Sequence, residues 1–259
     1  MLEAGIKRIY EEDFENQKHF IDVICEKVRE GMNPQILFDV NAFFVPNKDY
    51  MKQFFGPEIT LSNWDCYDVF GDCKWTGHLL VPIRDIDGKV RGFSGYNPAV
   101  TLEKKNDNSD RVFEKMSKYK ESAKTLLDKS RFFLCPLGFK KAMEDGYIIL
   151  VDGFFDSLSV AGVGYNSMAL LGSSLTDEIK FCLSFIDRIY VAYDNDLAGD
   201  KLYKTIKRSF PNCFYIKQSK CKDIDEFSKK YPSEFIEGLS QINSDLVTSI
   251  DLGLNKFYR

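Results

Sequence analysis

The chain has 259 residues, of which 44% are hydrophobic, and a formal net charge of −4. This size allows the core of one large domain or two lobes, and the negative charge excludes a generic polycation that coats nucleic acid. The apolar runs are far shorter than the roughly 20 residues that span a bilayer, and the acidic N-terminus has no apolar signal core. We therefore expect a cytoplasmic protein with no membrane association.

The first half of the chain predicts a mixed α/β lobe, residues 1–143. Residues 11–29 have apolar side chains at helical spacing, and VPIRDIDGKVRGFSGY, residues 81–96, predicts two antiparallel strands around an Asp87-Gly88 turn. Residues 104–141 contain 11 Lys or Arg against 5 Asp or Glu. This basic segment is the candidate surface for nucleic acid.

The second half predicts a parallel sheet with crossover helices, residues 144–228. Apolar runs alternate there with helical segments, which is typical of an α/β fold. The predicted strands are YIILV, SMALL, RIYVAY and CFYIK, and the predicted helices begin near Phe155, Thr176 and Ala198. Residues 229–259 have spaced apolar side chains and predict a C-terminal helical segment.

Aspartates follow several of the predicted strands. Ligands of an open parallel sheet gather beyond the carboxyl ends of its strands, and carboxylates converging there would raise one another's pKa unless cations neutralised them. We therefore expect two or more Mg²⁺ or Mn²⁺ ions, which can activate a 3′-hydroxyl and stabilise a leaving phosphate. The predicted metal ligands are Asp152, Asp194, Asp196, Asp223 and Asp225, and the predicted catalytic residues are Asp152, Asp156, Asp194 and Asp196.

A zinc site is the alternative that the cysteines raise. The nearest set, Cys66, Cys73 and His78, lacks the C-x-x-C pairs of a zinc ribbon and has no fourth ligand nearby. The seven cysteines are odd in number and scattered, which favours reduced thiols over disulfides. The sequence therefore argues against bound zinc.

The second half resembles the Toprim domain of bacterial-type primases. The resemblance covers residues 147–227 and lies in four runs, VDGFFDSLSVAGVG, GSSLT, VAYDNDLAGDKLYKTI and KDIDEF, in the family's order and spacing. By this resemblance Asp194, Asp196, Asp223 and Asp225 match the metal-binding acids, and Asp156 matches the second acid of the first motif. Asp152 stands where the family carries glutamate, so the ion could be held differently here.

The first half resembles the upstream part of primase cores. Residues 81–96 match its hairpin, with Tyr96 where arginine is usual, and Ser117-Lys118-Tyr119 matches a pro-lys-tyr motif. The resemblance implies contacts with the incoming triphosphate or the template. The candidate residues are Lys118, Lys129, Arg131, Arg91 and Arg84, for each of which a solvated surface role is the alternative.

The resemblance implies a minimal DNA primase of the kind found in phages or mobile elements, which makes RNA primers on a template. Its partners would be single-stranded DNA, ribonucleoside triphosphates and a replicative helicase or separate zinc-bearing protein. A Toprim metal-dependent nuclease is an alternative, because similar acids serve hydrolysis. A catalytically impaired nucleic-acid-binding homologue is another, given Asp152 and Tyr96.

Overall fold

The computed structural model describes eight stretches of the chain: residues 1–57, 73–99, 119–121, 134–171, 175–194, 197–218, 220–243 and 249–252. The chain divides into two compact units. The first unit comprises Met1–Glu30, Leu37–Ile83 and Val90–Leu127, and the second comprises Gly31–Ile36, Arg84–Lys89 and Asp128–Arg259. The domain boundaries expected from the sequence, after residues 143 and 228, stay a prediction.

The N-terminal part of the chain is helical, and one of its helices is broken where the sequence predicts continuity. The N-terminal helices are α1 (Leu2–Glu12), α2 (Phe14–Val23) with a π-helical turn (Ile24–Val28), α3 (Pro34–Asp39) and α4 (Tyr50–Phe55). The helix predicted over residues 11–29 is interrupted at Asp13, whose φ of −130° is not helical. The Asp13 carboxylate accepts hydrogen bonds from Gln17 and from the Tyr50 hydroxyl. The bond from Tyr50 is a tertiary contact, and it explains a break that apolar spacing does not reveal.

The first unit also contains a four-stranded sheet of order β1-β2-β3-β4. Its strands are β1 (Phe43–Phe44), β2 (Leu79–Arg84), β3 (Val90–Tyr96) and β4 (Tyr119–Glu121). The predicted turn between β2 and β3 is confirmed, and Gly88 has a φ of +80° there. The buried Asp85 carboxylate accepts the amide hydrogens of Asp87 and Lys89 within this turn, each at 2.9 Å. Phe43 and Phe93 of this sheet belong to a hydrophobic core that also includes Trp75.

The second unit contains a parallel sheet of order β6-β5-β7-β8-β9. Its strands are β5 (Tyr147–Val151), β6 (Ser167–Ala169), β7 (Arg188–Val191), β8 (Cys213–Gln218) and β9 (Ser249–Leu252). Every neighbouring pair of these strands is parallel. All five residues of β5 are buried, as expected for a central strand with both faces covered. The α/β fold predicted from the sequence is confirmed.

Helices precede and connect these strands. They are α5 (Phe139–Asp145), α6 (Phe154–Ala161), α7 (Asp177–Leu183), α8 (Leu197–Ser209), α9 (Ile224–Lys230) and α10 (Pro232–Leu239). Helices begin near all three predicted starts. The Thr176 hydroxyl, for example, caps α7 by accepting the Ile179 N–H at 3.3 Å. No helix in the described ranges is long and apolar enough to cross a membrane.

The C-terminal segment corrects one prediction. Residues 229–259 are predicted to be helical, and Pro232–Leu239 is a helix, but Ser249–Leu252 forms strand β9. The new strand pairs in parallel with β8, with Tyr215 opposite Ser249. Pairing satisfies backbone groups along the side of β8 that faces away from β7. A short edge strand of this kind is stabilised by its neighbour, so apolar periodicity does not predict it.

Candidate metal site at the end of the parallel sheet

Three neighbouring strands of the parallel sheet, β5, β7 and β8, lead into the segments that carry the aspartates. Asp152 follows β5 directly, Asp194 lies three residues beyond β7, and Asp223 precedes α9 after β8. Because the strands are parallel, all three segments leave the sheet at the same end. Acids that are up to 71 residues apart in the sequence are thereby carried to one end of the sheet.

Asp156 is held in the first turn of α6 by hydrogen bonds to both of its carboxylate oxygens. Its Oδ2 accepts the Gly153 N–H at 3.2 Å, and its Oδ1 accepts the Asp225 N–H at 3.0 Å. A Cβ atom at Gly153 would lie 2.9 Å from the same Oδ2, so a larger residue there would require the Asp156 carboxylate to shift. The Asp156 side chain therefore joins the start of α6 to the start of α9.

The environment of Asp156 raises its pKa to about 8. Burial is the largest cause and the negative charge of Asp223 is the next, with smaller contributions of the same sign from Asp225 and Asp194. The hydrogen bond from the Asp225 N–H opposes them. Aspartates that follow β7 and β8 therefore raise the pKa of Asp156, and a bound cation would stabilise its charged form.

Asp223 begins α9 and serves as its N-cap. Its Oδ1 accepts the Glu226 N–H at 2.8 Å, which satisfies one of the amide hydrogens left open at a helix start. The preceding residue, Lys222, donates its own N–H to the Glu226 carboxylate at 3.0 Å. These bonds fix the segment that enters α9, while the second carboxylate oxygen of Asp223 has no part in the cap.

A lysine ammonium lies beside Asp194. Lys222 Nζ is 3.3 Å from Asp194 Oδ2, although the Lys222 side chain is 74% exposed. Asp194 raises the pKa of Lys222 most, and Asp223 and Asp156 add to the shift. One exposed cation therefore lies within the field of three aspartates, where a metal ion would experience the same attraction.

Asp225 has a different environment from Asp194 and Asp223. It is buried, its Oδ1 accepts the Ser159 hydroxyl at 2.7 Å, and its Oδ2 accepts Lys229 Nζ at 2.6 Å. Its negative charge is therefore compensated inside the fold by a residue of the same helix.

Asp152, by contrast, is exposed at the end of β5. Its charge contributes, after burial, to raising the pKa of Tyr193 well above the usual value. The buried Tyr193 hydroxyl has no hydrogen-bond partner among the described residues. Asp196 lies outside the described residues. Within the described ranges, no three His, Cys, Asp or Glu side chains are spaced to hold a metal ion together.

The carboxylates nevertheless fit a hard divalent cation. Carboxylate oxygens and retained water are the ligands that Mg²⁺ and Mn²⁺ prefer, and Asp194 and Asp223 each contribute to the raised pKa of Asp156. A site of this kind is completed by water and substrate phosphates, so it needs few protein ligands. The residues present therefore fit the metal that the sequence predicts.

Residues 149–228 match a protein family described as Toprim-like. By this similarity we refer to this part of the chain as the Toprim-like domain. The DNA primase of Aquifex aeolicus (strain VF5) is 29% identical over 180 residues, 66% of this chain and 34% of that protein. The DNA primase of Enterococcus faecalis (strain ATCC 700802 / V583) is 25% identical over 255 residues, 90% of this chain and 38% of that protein. The chain is thus similar to bacterial DNA primases and spans about a third of the length of these two relatives.

Solved primase structures share the fold. The zinc-binding and RNA polymerase domains of the Aquifex aeolicus primase superpose with a TM-score of 0.65 at 23% identity, covering 82% of this chain and 52% of that chain. A DnaG primase catalytic domain bound to ssDNA gives a TM-score of 0.62 at 22% identity, covering 82% of this chain and 68% of that chain. The chain therefore has the fold of a primase catalytic core.

Of the predicted nucleotide contacts, two lie in the described residues and outside the Toprim-like domain. Arg84 Nη1 donates to the Gly88 carbonyl at 2.8 Å within the β2–β3 turn, and Arg91 is half-buried on β3. Tyr96 is only 2% exposed and lies 5.6 Å from the Arg29 guanidinium, measured to the ring centroid. It is a core residue of the first unit. Lys118, Lys129 and Arg131 lie outside the described residues.

Sequence reasoning missed four residues of the Toprim-like domain. A Cβ at Gly199 would lie 2.2 Å from the Asp194 carbonyl oxygen, so only glycine lets α8 pack against the Asp194 backbone. Lys222 and Lys229 pair with Asp194 and Asp225, and Ser159 bonds to Asp225. The four-residue spacing from Asp225 to Lys229 was a usable signal for an ion pair on a helix.

Proposed function

We propose that this chain is the catalytic core of a DNA primase that synthesises short RNA primers on single-stranded DNA in the cytoplasm. The observation that carries the proposal is that aspartates follow three neighbouring strands at one end of the sheet, where Asp223 and Asp194 raise the pKa of Asp156, in a chain with the fold of primase catalytic cores. The similarity to bacterial DNA primases over most of the chain supports the same reaction. One solved neighbour is bound to single-stranded DNA, which supports that class of template.

We assign Asp152, Asp194, Asp196 and Asp223 to two or more Mg²⁺ or Mn²⁺ ions. Bound ions of this class activate the primer 3′-hydroxyl and stabilise the charge of the leaving pyrophosphate. Asp194 and Asp223 offer carboxylate oxygens from the ends of β7 and β8, and Asp152 offers another from the end of β5. Asp225, which the resemblance includes in this set, already has a cation beside it, Lys229.

Asp156 can hold a proton next to these ligands. With its pKa near 8, it is largely protonated at neutral pH while no metal is bound, and it loses the proton when a cation compensates its neighbours. Its two backbone hydrogen bonds orient the carboxyl in either state. The catalytic contribution that we assign to Asp156 is therefore to adjust the charge of the site as metal and triphosphate enter.

The basic segment, residues 104–141, is proposed to bind the template and the incoming triphosphate through Lys118, Lys129 and Arg131. This segment is positively charged although the chain as a whole is negative, so electrostatic attraction to phosphate is confined to the segment. Arg84 and Arg91 are additional candidates. We expect weak template binding and little sequence preference by the isolated chain, with a replicative helicase or zinc-bearing protein raising the effective template concentration.

The test is primer synthesis on single-stranded templates with labelled ribonucleotides and Mg²⁺ or Mn²⁺. The wild-type chain should give template-dependent extension products, and Asp194→Asn should abolish them. The matched control is Asp200→Asn, six residues further along the chain and exposed on α8, which should keep wild-type activity. Template shortening would instead indicate the Toprim nuclease, and binding without either product would indicate an impaired homologue.

A further inference from the structure

Asp225 forms a buried ion pair with Lys229, a residue of the same helix. It is 6% exposed, and the Lys229 side chain that donates to it at 2.6 Å is 17% exposed. The Lys222–Asp194 pair is far more open to solvent. Both Asp225 carboxylate oxygens already accept hydrogen bonds, one from Lys229 and one from Ser159.

The same residue also binds α6 through its main chain. The Asp225 N–H donates to Asp156 Oδ1 at 3.0 Å, while the Asp225 side chain accepts from Ser159, three residues further along α6. Residues three apart on a helix lie on one face, so these two hydrogen bonds attach Asp225 to the same face of α6, about one turn apart. Asp225 thereby fixes the start of α9, which carries Asp223, against the start of α6, which carries Asp156.

Binding a metal ion through Asp225 would disturb this arrangement. The ion would replace Lys229 at Oδ2 or crowd it, and a lysine ammonium without its partner is costly where the surroundings exclude water. The Lys229 side chain is 17% exposed, so its ammonium lies in a largely buried position beside Asp225.

We propose that Asp225 is a positioning residue, which with Lys229 and Ser159 clamps α9 to α6 so that Asp156 and Asp223 face one metal site, and that Asp225 does not bind the metal itself. The inference rests on the proposed function, since it assumes a metal centre at these acids. It assigns Lys229 and Ser159 a part in metal affinity, although neither side chain is a ligand.

The sign of the change in metal affinity separates the two roles. If Asp225 were a ligand, Lys229→Gln would remove a competing cation, and Mn²⁺ would bind more tightly. If Asp225 positions other ligands, Lys229→Gln loosens the clamp, and Mn²⁺ affinity should fall by about 10-fold or more, as is typical when residues that orient metal ligands are lost. Isothermal titration of the full chain with Mn²⁺, without nucleotide or template, measures this directly.

The neighbouring residue provides a matched control. Lys230 pairs with Glu226 at the same four-residue spacing on the same helix, but this pair is exposed, so Lys230→Gln should leave Mn²⁺ affinity unchanged. Lys229→Arg, which keeps the cation, should retain most of the affinity. Ser159→Ala should lower the affinity in the same direction as Lys229→Gln, because it removes the second bond of the clamp.

A double variant keeps the test informative if Lys229→Gln leaves too little folded protein. Asp225→Asn combined with Lys229→Gln has no charge at this pair, and the new asparagine can still accept from Ser159 and donate to the new glutamine. Recovered Mn²⁺ affinity in this variant supports positioning, because the carboxylate is gone. Tighter Mn²⁺ binding by Lys229→Gln, or loss of binding in a folded double variant, would overturn the proposal. A wild-type chain that binds Mn²⁺ but makes no primer would remove only the proposed function.

Discussion

Replacing Asp156 by asparagine should stabilise the metal-free protein much more at pH 8 than at pH 5. The folded protein raises the pKa of Asp156 from 3.8 to about 8, so between these values the folded state keeps a proton that the unfolded state has lost. Stability therefore falls as the pH rises through this window, because the unfolded state binds fewer protons. Asparagine has no proton to lose and removes this dependence.

The magnitude follows from the size of the shift. At about 1.4 kcal/mol for each pKa unit, a change from 3.8 to about 8 sets a ceiling of roughly 5 kcal/mol at pH 8. The asparagine side chain keeps an acceptor for only one of the two N–H donors, from Gly153 and Asp225, at a cost of about 1 kcal/mol. Relaxation of the half-buried carboxyl toward water reduces the gain further, and we expect a net stabilisation of about 2 kcal/mol.

The assay is thermal unfolding in the presence of a chelator at pH 5 and pH 8. For a unit of this size, about 2 kcal/mol corresponds to a Tm increase of roughly 4 to 8 °C at pH 8. At pH 5 the unfolded-state carboxyl is only about 1.2 pH units above its pKa of 3.8, so the ceiling there is roughly 1.7 kcal/mol and is largely offset by the lost hydrogen bond. Asp200→Asn, an exposed control on α8, should show neither effect. The same change in Tm at both pH values, or a lower Tm at pH 8, would refute the reasoning.

Four further variants probe the site and the basic segment. Lys222→Ala should increase Mn²⁺ affinity, because it removes the ammonium 3.3 Å from Asp194 Oδ2; weaker binding in the titration would mean that Lys222 supports the site. Asp152→Glu, which restores the usual residue of the Toprim primases, should keep or increase primer synthesis, and complete loss would show a site built around the shorter side chain. Lys118→Ala and Lys129→Ala should each flatten the dependence of log affinity for single-stranded DNA on log salt by roughly 0.7. An unchanged slope and an unchanged nucleotide affinity would indicate that both lysines are solvated surface residues.

The central part of the fold could be predicted because its signals are local. A buried strand such as β5 is a short apolar run, and an acid directly after it marks the strand end. Thr176 is a hydroxyl residue that can cap the helix beginning after it, and Asp87-Gly88 is a turn sequence. The sequence therefore predicts both the sheet and the end of it at which the acids lie.

The remaining features depend on partners that are distant in the sequence. The break at Asp13 depends on Tyr50, 37 residues away, and strand β9 depends on β8. The contrast between Asp223 and Asp225 is invisible in the motif KDIDEF, where both acids look alike. Only the fold brings Ser159 to Asp225, a contact across 66 residues that gives this acid a different environment.

The strand order β6-β5-β7-β8-β9 has a consequence for how the protein folds. Parallel strands cannot pair through a tight turn, so β5 meets β7 only after the chain of α6, β6 and α7 has been folded back across the sheet. Closing such long loops is slow compared with forming the helices. During refolding, helical circular dichroism should therefore return before the chain can bind metal. In a chain that is released from denaturant, or that is still emerging from the ribosome, the aspartates that follow β5, β7 and β8 stay far apart until these strands have paired.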